Sequence, residues 1–253
     1  MKQVYWLRVL VICLGILLIV ASAAAYIAFS FARVFYSSEN GVRLEPLGLS
    51  SYPTSPIRTS PDIKRVVFFG DSRAESWPPS VQVSGWEFVN RGIAGQTTAQ
   101  ILGRFAAHVT PLQPDVVVLQ LGINDLRTIP IFPESRAVII ANCIANIQAM
   151  IRQSKDLKAV VILSTIFPVT APTLERRIFF WSDDIARAVA EVNKALRSLA
   201  ADRVILLDAD SILLDANGLP RPEYMEDTLH LSPAGYEALN LRLSQILSDL
   251  PSS

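Results

Sequence analysis

The chain has 253 residues, and its 23 Lys and Arg are matched by 23 Asp and Glu. That balance leaves no basic excess for nucleic acid or another polyanion. Two cysteines, Cys13 and Cys143, form neither a metal-ligand spacing nor a disulfide framework, and two histidines, His108 and His230, are the only candidates for imidazole chemistry.

After a short tail over residues 1–8, Val9 to Phe31 carries no charge. A stretch of that length can cross the hydrocarbon core of a bilayer as a helix, so a transmembrane anchor is predicted over 9–31. A cleavable signal peptide is the competing reading, since Lys2 and Arg8 give a basic start and Ala21-Ser22-Ala23 resembles a cleavage site. The apolar run continues through Tyr26-Ile27-Ala28-Phe29, which favours the uncleaved anchor. Lys2 and Arg8 precede the span and Arg33 and Arg43 follow it, so basic residues alone do not orient it. The short tail favours an inside amino terminus and an exported domain.

Residues 32–62 are rich in Ser and Pro, as in Ser50-Ser51-Tyr52-Pro53-Thr54-Ser55-Pro56, and suit an extended spacer. From Ile63 to about residue 250, apolar runs alternate with helical patterns. Strands are predicted at Arg65–Phe69, Glu87–Asn90, Val116–Leu121, Ala159–Ser164 and Val204–Leu207. Helices are predicted at Thr98–His108, Glu134–Ser154, Asp183–Ala201 and Pro233–Leu247. Such alternation implies βαβ crossovers and a parallel sheet of about five strands covered on both faces, a doubly wound α/β domain.

Four stretches stand out. Val66-Val67-Phe68-Phe69 ends in Gly70-Asp71-Ser72, which places Ser72 at the carboxyl end of a strand, where open α/β sheets bind ligands. Asn90-Arg91-Gly92-Ile93-Ala94-Gly95-Gln96 follows a strand and leads into a helix; glycine permits close backbone approach there. Gly122-Ile123-Asn124-Asp125 follows the next strand, and Asn124 can aim its amide at a reacting oxygen or cap a turn. In Asp227-Thr228-Leu229-His230, the carboxylate can meet the imidazole across one turn, while Ser232-Pro233 reads as the cap and first residue of the last helix. Each alone has an ordinary structural reading as a turn, a cap or a surface pair. His108 has no carboxylate at matching spacing and reads as structural or solvated.

In order and spacing, the four stretches resemble the SGNH (GDSL-type) hydrolase family, over about Ile63 to Leu247. The resemblance implies a flavodoxin-like three-layer sandwich and a serine hydrolase cleaving carboxylic esters through an acyl-enzyme. It makes Ser72 the nucleophile, His230 the base and Asp227 its orienter. The oxyanion hole would come from the backbone N–H groups of Ser72 and Gly95 and the side chain of Asn124. It implies no metal or organic cofactor, and an ester partner: an acylated lipid, a thioester or an O-acetylated glycan. Asp71 and Asp125 read as structural, bonding turn backbone.

Two features depart from the pattern. Arg73 stands where the family usually has an aliphatic residue, and could bind an anionic substrate group, pair with Glu75 or be solvated. The loop from Phe167 to Asp183 carries Arg176-Arg177-Ile178-Phe179-Phe180-Trp181, a lid, an acyl-contacting rim near the membrane, or simple packing of Phe179 and Phe180 against the next helix. An α/β-hydrolase elbow is a nearby rival, but the serine follows the first strand and Asp227 lies too close to His230 for two separate loops. An acyltransferase would use the same residues while keeping water from the acyl-enzyme. A non-catalytic surface protein could keep the fold, but a binding role has no need of Ser72, Asn124, Asp227 and His230 together.

Overall fold

The computed structural model describes residues 2–78, 83–172 and 181–250. The chain divides into two compact units, one up to Pro46 and one beginning at Leu47.

The first unit is one helix, α1, Lys2–Leu44, long and apolar enough to cross a membrane. At about 1.5 Å per residue it outruns the charge-free span of 9–31. The extended spacer expected from residue 32 is therefore helical as far as 44. No proline falls between 32 and 45, and Glu39 and Arg43 pair one turn apart at 2.6 Å. Pro46 then disfavours helix at the residue before it, and the helix stops.

The second unit is a five-stranded parallel sheet: β1 (Lys64–Gly70), β2 (Trp86–Gly92), β3 (Val116–Gln120), β4 (Val160–Ser164) and β5 (Val204–Leu207). Its order is β2-β1-β3-β4-β5. All five predicted strands form, with ends shifted by no more than two residues. The order reverses between β1 and β3, and that crevice is where doubly wound sheets place ligands.

Successive strand side chains face opposite ways, and both faces are apolar. Val67, Phe69, Val117, Leu119, Val161 and Leu163 join one core; Val66, Phe68, Val116, Val118 and Ile162 join the other. Short helices α2 (Ser72–Glu75), α3 (Thr98–Gly103), α4 (Phe105–His108) and α5 (Ile123–Leu126) punctuate the first three strands. On the first face lie α6 (Arg136–Asp156), burying Ile140, Cys143, Ile147, Met150 and Ile151, and α7 (Asp184–Arg197), burying Ile185, Ala188, Val189, Val192 and Leu196. The second face takes α8 (Ala209–Leu213) and α9 (Pro233–Asp249), the latter through Tyr236, Leu239, Leu243 and Leu247. Spacings of three and four residues put these side chains on one stripe of each long helix.

The helix predicted over Thr98–His108 is broken at Arg104, whose side chain is fully buried among backbone carbonyls. Residues 47–54, expected to be spacer, lie against this part of the unit. Gln96 Nε2 donates to Leu47 O at 2.9 Å, Tyr52 Oη to Gly92 O at 2.5 Å, and Arg91 Nη2 to Thr54 O at 3.1 Å.

Two strand-end glycines allow backbone to meet backbone. A Cβ on Gly70 would sit 1.7 Å from Gln120 O, and one on Gly92 would sit 2.1 Å from Glu75 N. Neither neighbour is a side-chain tip that can swing aside. Gly92→Ala is expected to lower unfolding free energy by about 3 kcal/mol or more, as overpacking against fixed backbone does, read from the shift in urea midpoint.

Candidate active site

At the end of β1 the chain turns at Asp71, whose carboxylate Oδ1 accepts the Arg73 N–H at 3.0 Å and so caps α2. Ser72 is the first residue of that helix. Its N–H belongs to the first turn, which has no acceptor within its own helix. Asn90 on β2 holds the other end of α2, donating from Nδ2 to Ala74 O at 2.8 Å while its Oδ1 accepts from Gly92 N at 2.8 Å. Tyr236 on α9 donates to Arg73 O at 2.9 Å. The turn bearing Ser72 is thus fixed from three sides.

His230 comes from the segment before α9. Met225 and Leu231 bridge antiparallel, and Glu226 N donates to His230 O at 2.9 Å, so residues 225–231 fold back on themselves. Ser232 caps α9 by accepting from Gly235 N at 3.3 Å, with Pro233 opening the helix as the sequence predicts. Inside the fold-back, Asp227 Oδ1 accepts the N–H groups of Leu229 at 2.6 Å and His230 at 2.8 Å. Its Oδ2 lies 3.0 Å from His230 Nδ1, and His230 Nε2 lies 3.1 Å from Ser72 Oγ.

These distances dictate the protonation pattern. An ionised carboxylate only accepts, so Nδ1 carries the imidazole proton and Nε2 offers its lone pair to the serine hydroxyl. Partial burial pushes the Asp227 carboxyl up, but the His230 hydrogen bond and the two N–H groups outweigh it and bring it to about 2. Asp227 therefore stays ionised across the neutral range. The arrangement can take a proton from a hydroxyl and stabilise the imidazolium that results.

The turn after β2 and α5 after β3 face each other across the switch point. Gly95 is exposed at φ +77°, and Gly122 has φ +116°, a region in which side chains are strained. Asp125 accepts both the Thr98 N–H at 2.8 Å and the Thr98 hydroxyl at 2.6 Å, tying the two segments together. Asn124 Nδ2 donates to Gln96 O at 3.0 Å. The structure thus brings Ser72, His230 and Asp227 into direct contact, and links Asn124 to the Gly95 turn through Gln96. Asp71 and Asp125 bond turn backbone, as expected.

Arg73 corrects an expectation. It neither pairs with Glu75 nor reaches solvent: it is fully buried. Nε donates to Leu229 O at 2.8 Å, Nη1 to Phe167 O at 2.9 Å and Nη2 to Pro168 O at 3.4 Å. Burial lowers its guanidinium to about 10 and Asp71 pulls it back up, so it remains a cation at neutral pH. His108 is buried away from these residues, as its structural reading predicts. Arg104 Nη1 stands 3.3 Å from its Nδ1, and Leu49 O stands 3.3 Å from its Nε2. A guanidinium donates only, so Nδ1 accepts and Nε2 holds the proton. In the loop with the aromatic cluster, residues 173–180 lie outside the described residues, and Trp181 packs half-buried against the first core.

Gln96 and Arg104 escaped the reading of the sequence. Arg104 donates from Nε to Gln96 Oε1 at 2.5 Å, from Nη1 to Arg91 O at 2.8 Å and from Nη2 to Gly70 O at 2.8 Å. The available signal was a charge at a core-facing helical position, beside Ile101 and Phe105. Clefts of about 450 and 630 Å³ open around Lys64, Trp86 and Asp115. They lie at the amino-terminal edge of the sheet, a strand's length from Ser72, so volume and chemistry point to different ends.

Comparison with known proteins identifies the family. The GDSL-like Lipase/Acylhydrolase family matches residues 59–238. The chain belongs to that family. Membership places it among the SGNH-type esterases. An acetylxylan esterase from Geobacillus stearothermophilus is 28% identical over 123 residues, 47% of this chain and 54% of that protein. The match thus spans about half the length of that curated relative. A GDSL-like lipase from Bacteroides thetaiotaomicron superposes with a TM-score of 0.64 at 25% identity, covering 80% of this chain and 98% of that one. A lipase/acylhydrolase from Enterococcus faecalis shares the fold, with a TM-score of 0.57 at 23% identity over 76% of this chain and 99% of that one.

The buried carboxyl of Asp71, next to Ser72, has a consequence for pH. The side chains of Asp71 and Gln120 are fully buried at this end of the sheet. Desolvation raises Asp71 to about 6 against the pull of the Arg73 charge and N–H. A carboxyl raised above its unfolded value of about 4 favours the folded state when protonated, and that stability is lost as pH rises through about 6. Urea unfolding at pH 4 and pH 7.5 is expected to show wild type losing a few kcal/mol that Asp71→Asn does not lose.

Proposed function

We propose that the protein is a membrane-anchored serine hydrolase that cleaves carboxylic esters, acyl or O-acetyl, through an acyl-enzyme. The observation that carries this reading is the unbroken chain from Ser72 Oγ to His230 Nε2 at 3.1 Å and from His230 Nδ1 to Asp227 Oδ2 at 3.0 Å. A serine hydroxyl attacks only when an adjacent base removes its proton. In this reading His230 accepts that proton as Ser72 Oγ bonds to the ester carbonyl carbon, then delivers it to the departing alkoxide oxygen. Water, deprotonated by the same nitrogen, releases the acid and restores Ser72. Asp227 keeps the imidazole in the required tautomer throughout.

The negative oxygen of each tetrahedral intermediate would be met by the N–H groups of Ser72 and Gly95 and by the Asn124 amide. Asn124 gives one hydrogen to Gln96 O, which fixes the amide plane and leaves its second N–H for the oxyanion. Helix α1 would serve as an uncleaved anchor, with the domain on the exported side and no cofactor required. The names of the relatives, an acetylxylan esterase among them, support an acyl or acetyl ester, including one borne on a glycan.

Full-length protein in detergent should hydrolyse p-nitrophenyl acetate, and comparison with longer-chain esters gives the acyl preference. Ser72→Ala should abolish turnover without changing the melting temperature; retained turnover would overturn the reading. Asn124→Ala should lower kcat roughly a hundred- to thousandfold, the usual cost of one oxyanion donor, as measured at saturating ester.

A further inference from the structure

Arg73 adjoins Ser72 in the chain, and its guanidinium reaches the segment that carries His230. Its main chain is held twice, by Asp71 Oδ1 at the amide and by the Tyr236 hydroxyl at the carbonyl. From that fixed base Nε donates to Leu229 O, the carbonyl of the peptide bond joining Leu229 to His230. The remaining nitrogens bond Phe167 O and Pro168 O, and the guanidinium carbon lies 5.4 Å from the centre of the Phe167 ring. The segment beyond Pro168 is itself tied to the fold-back, since Thr170 N donates to Thr228 O at 3.0 Å. One planar cation therefore joins the turn bearing Ser72, the end of β4 and the segment bearing His230.

We propose that Arg73 is a positioning residue for the base: by holding the carbonyl of Leu229 it sets the distance at which His230 stands from Ser72. The proposal rests on the reading of Ser72 as nucleophile and His230 as base. Asp227 and His230 share one fold-back and one set of internal hydrogen bonds, so they move together. Loss of the Arg73 contact opens the gap between Ser72 and His230 and leaves the Asp227–His230 pair intact. Proton transfer requires hydrogen-bond reach, and misplacement by about 1 Å can cost on the order of a hundredfold in rate. The deficit belongs in kcat. Substrate binding does not use Arg73, because all its described bonds go to backbone carbonyls in the interior.

Lysine separates this role from a role of charge alone. It keeps the cation but lacks the planar fork that reaches Leu229 and Phe167 together. Arg73→Lys and Arg73→Met are assayed in the full-length protein with p-nitrophenyl acetate, beside Ser72→Ala, His230→Ala and the Arg73→Lys/His230→Ala double variant. Expected for Arg73→Lys is a kcat lower by on the order of a hundredfold, with KM close to wild type and a cooperative melting transition retained, if at lower temperature. Residues that act as a unit do not add, so the double variant should be no slower than His230→Ala alone. Wild-type kcat in Arg73→Lys, a deficit confined to KM, or multiplying effects in the double variant would each overturn the proposal. So would loss of the folding transition in Arg73→Lys, since the residue would then serve the fold as a whole. Arg73→Met is interpreted only if it melts cooperatively; Arg73→Lys decides otherwise. Retained activity in Ser72→Ala and His230→Ala would instead overturn the reading of the site itself.

Discussion

A parallel sheet presents main-chain carbonyls at the carboxyl ends of its strands, and where the sheet is covered those carbonyls need donors. Here two buried guanidinium groups meet much of that need. Arg104 takes the carbonyls of Gly70 and Arg91, at the ends of β1 and β2, together with the side chain of Gln96. Arg73 takes those of Phe167, Pro168 and Leu229. Arginine suits this task because its donors are fixed in one plane and point in several directions. The five nitrogen contacts to carbonyl oxygen draw together segments that are far apart in sequence. The rim that carries Ser72 and His230 is assembled around cations that never touch solvent.

Burying a cation without a carboxylate partner is costly, and these sites offset the cost with several carbonyl dipoles each. Asp71 adds charge compensation to Arg73, and the exchange is mutual. The guanidinium restrains the upward shift of the Asp71 carboxyl, while the carboxyl restrains the downward shift of the guanidinium. The two residues flanking Ser72 thus carry opposite, mutually stabilising buried charges. Asp227, by contrast, lies nearer solvent and is held by hydrogen bonds. One carboxyl is raised by its surroundings and the other lowered, and only the lowered one touches the imidazole.

Most of the fold was legible because it rests on local patterns. Strands β1, β3, β4 and β5 are apolar on both faces, and the long helices carry stripes at three- and four-residue spacing. Proline and glycine punctuation marks their ends. The three-residue step between acid and imidazole made the Asp227–His230 contact legible, whereas the contact of His230 with Ser72 was expected only from the family resemblance. Arg73 was misjudged because side-chain direction depends on distant chain: Phe167 and Leu229 lie 94 and 156 residues away. Arg104 was hidden for the same reason, its partners on β1 and β2 being invisible from its own helix. Residues 47–54 looked like tether because Ser and Pro signal an absence of regular structure, which is different from an absence of contacts. Tyr52 illustrates this: its hydroxyl bonds Gly92 O and its ring lies 4.5 Å beneath the Arg91 guanidinium.

That docking gives the segment after α1 a mechanical meaning. Leu47 O accepts from the Gln96 side chain, and the Gln96 backbone carbonyl accepts from Asn124. A force applied along the chain at Leu47 would reach the Asn124 amide through a single intervening residue. The point at which the chain leaving α1 first docks is thus one residue removed from the amide proposed to meet the developing negative charge.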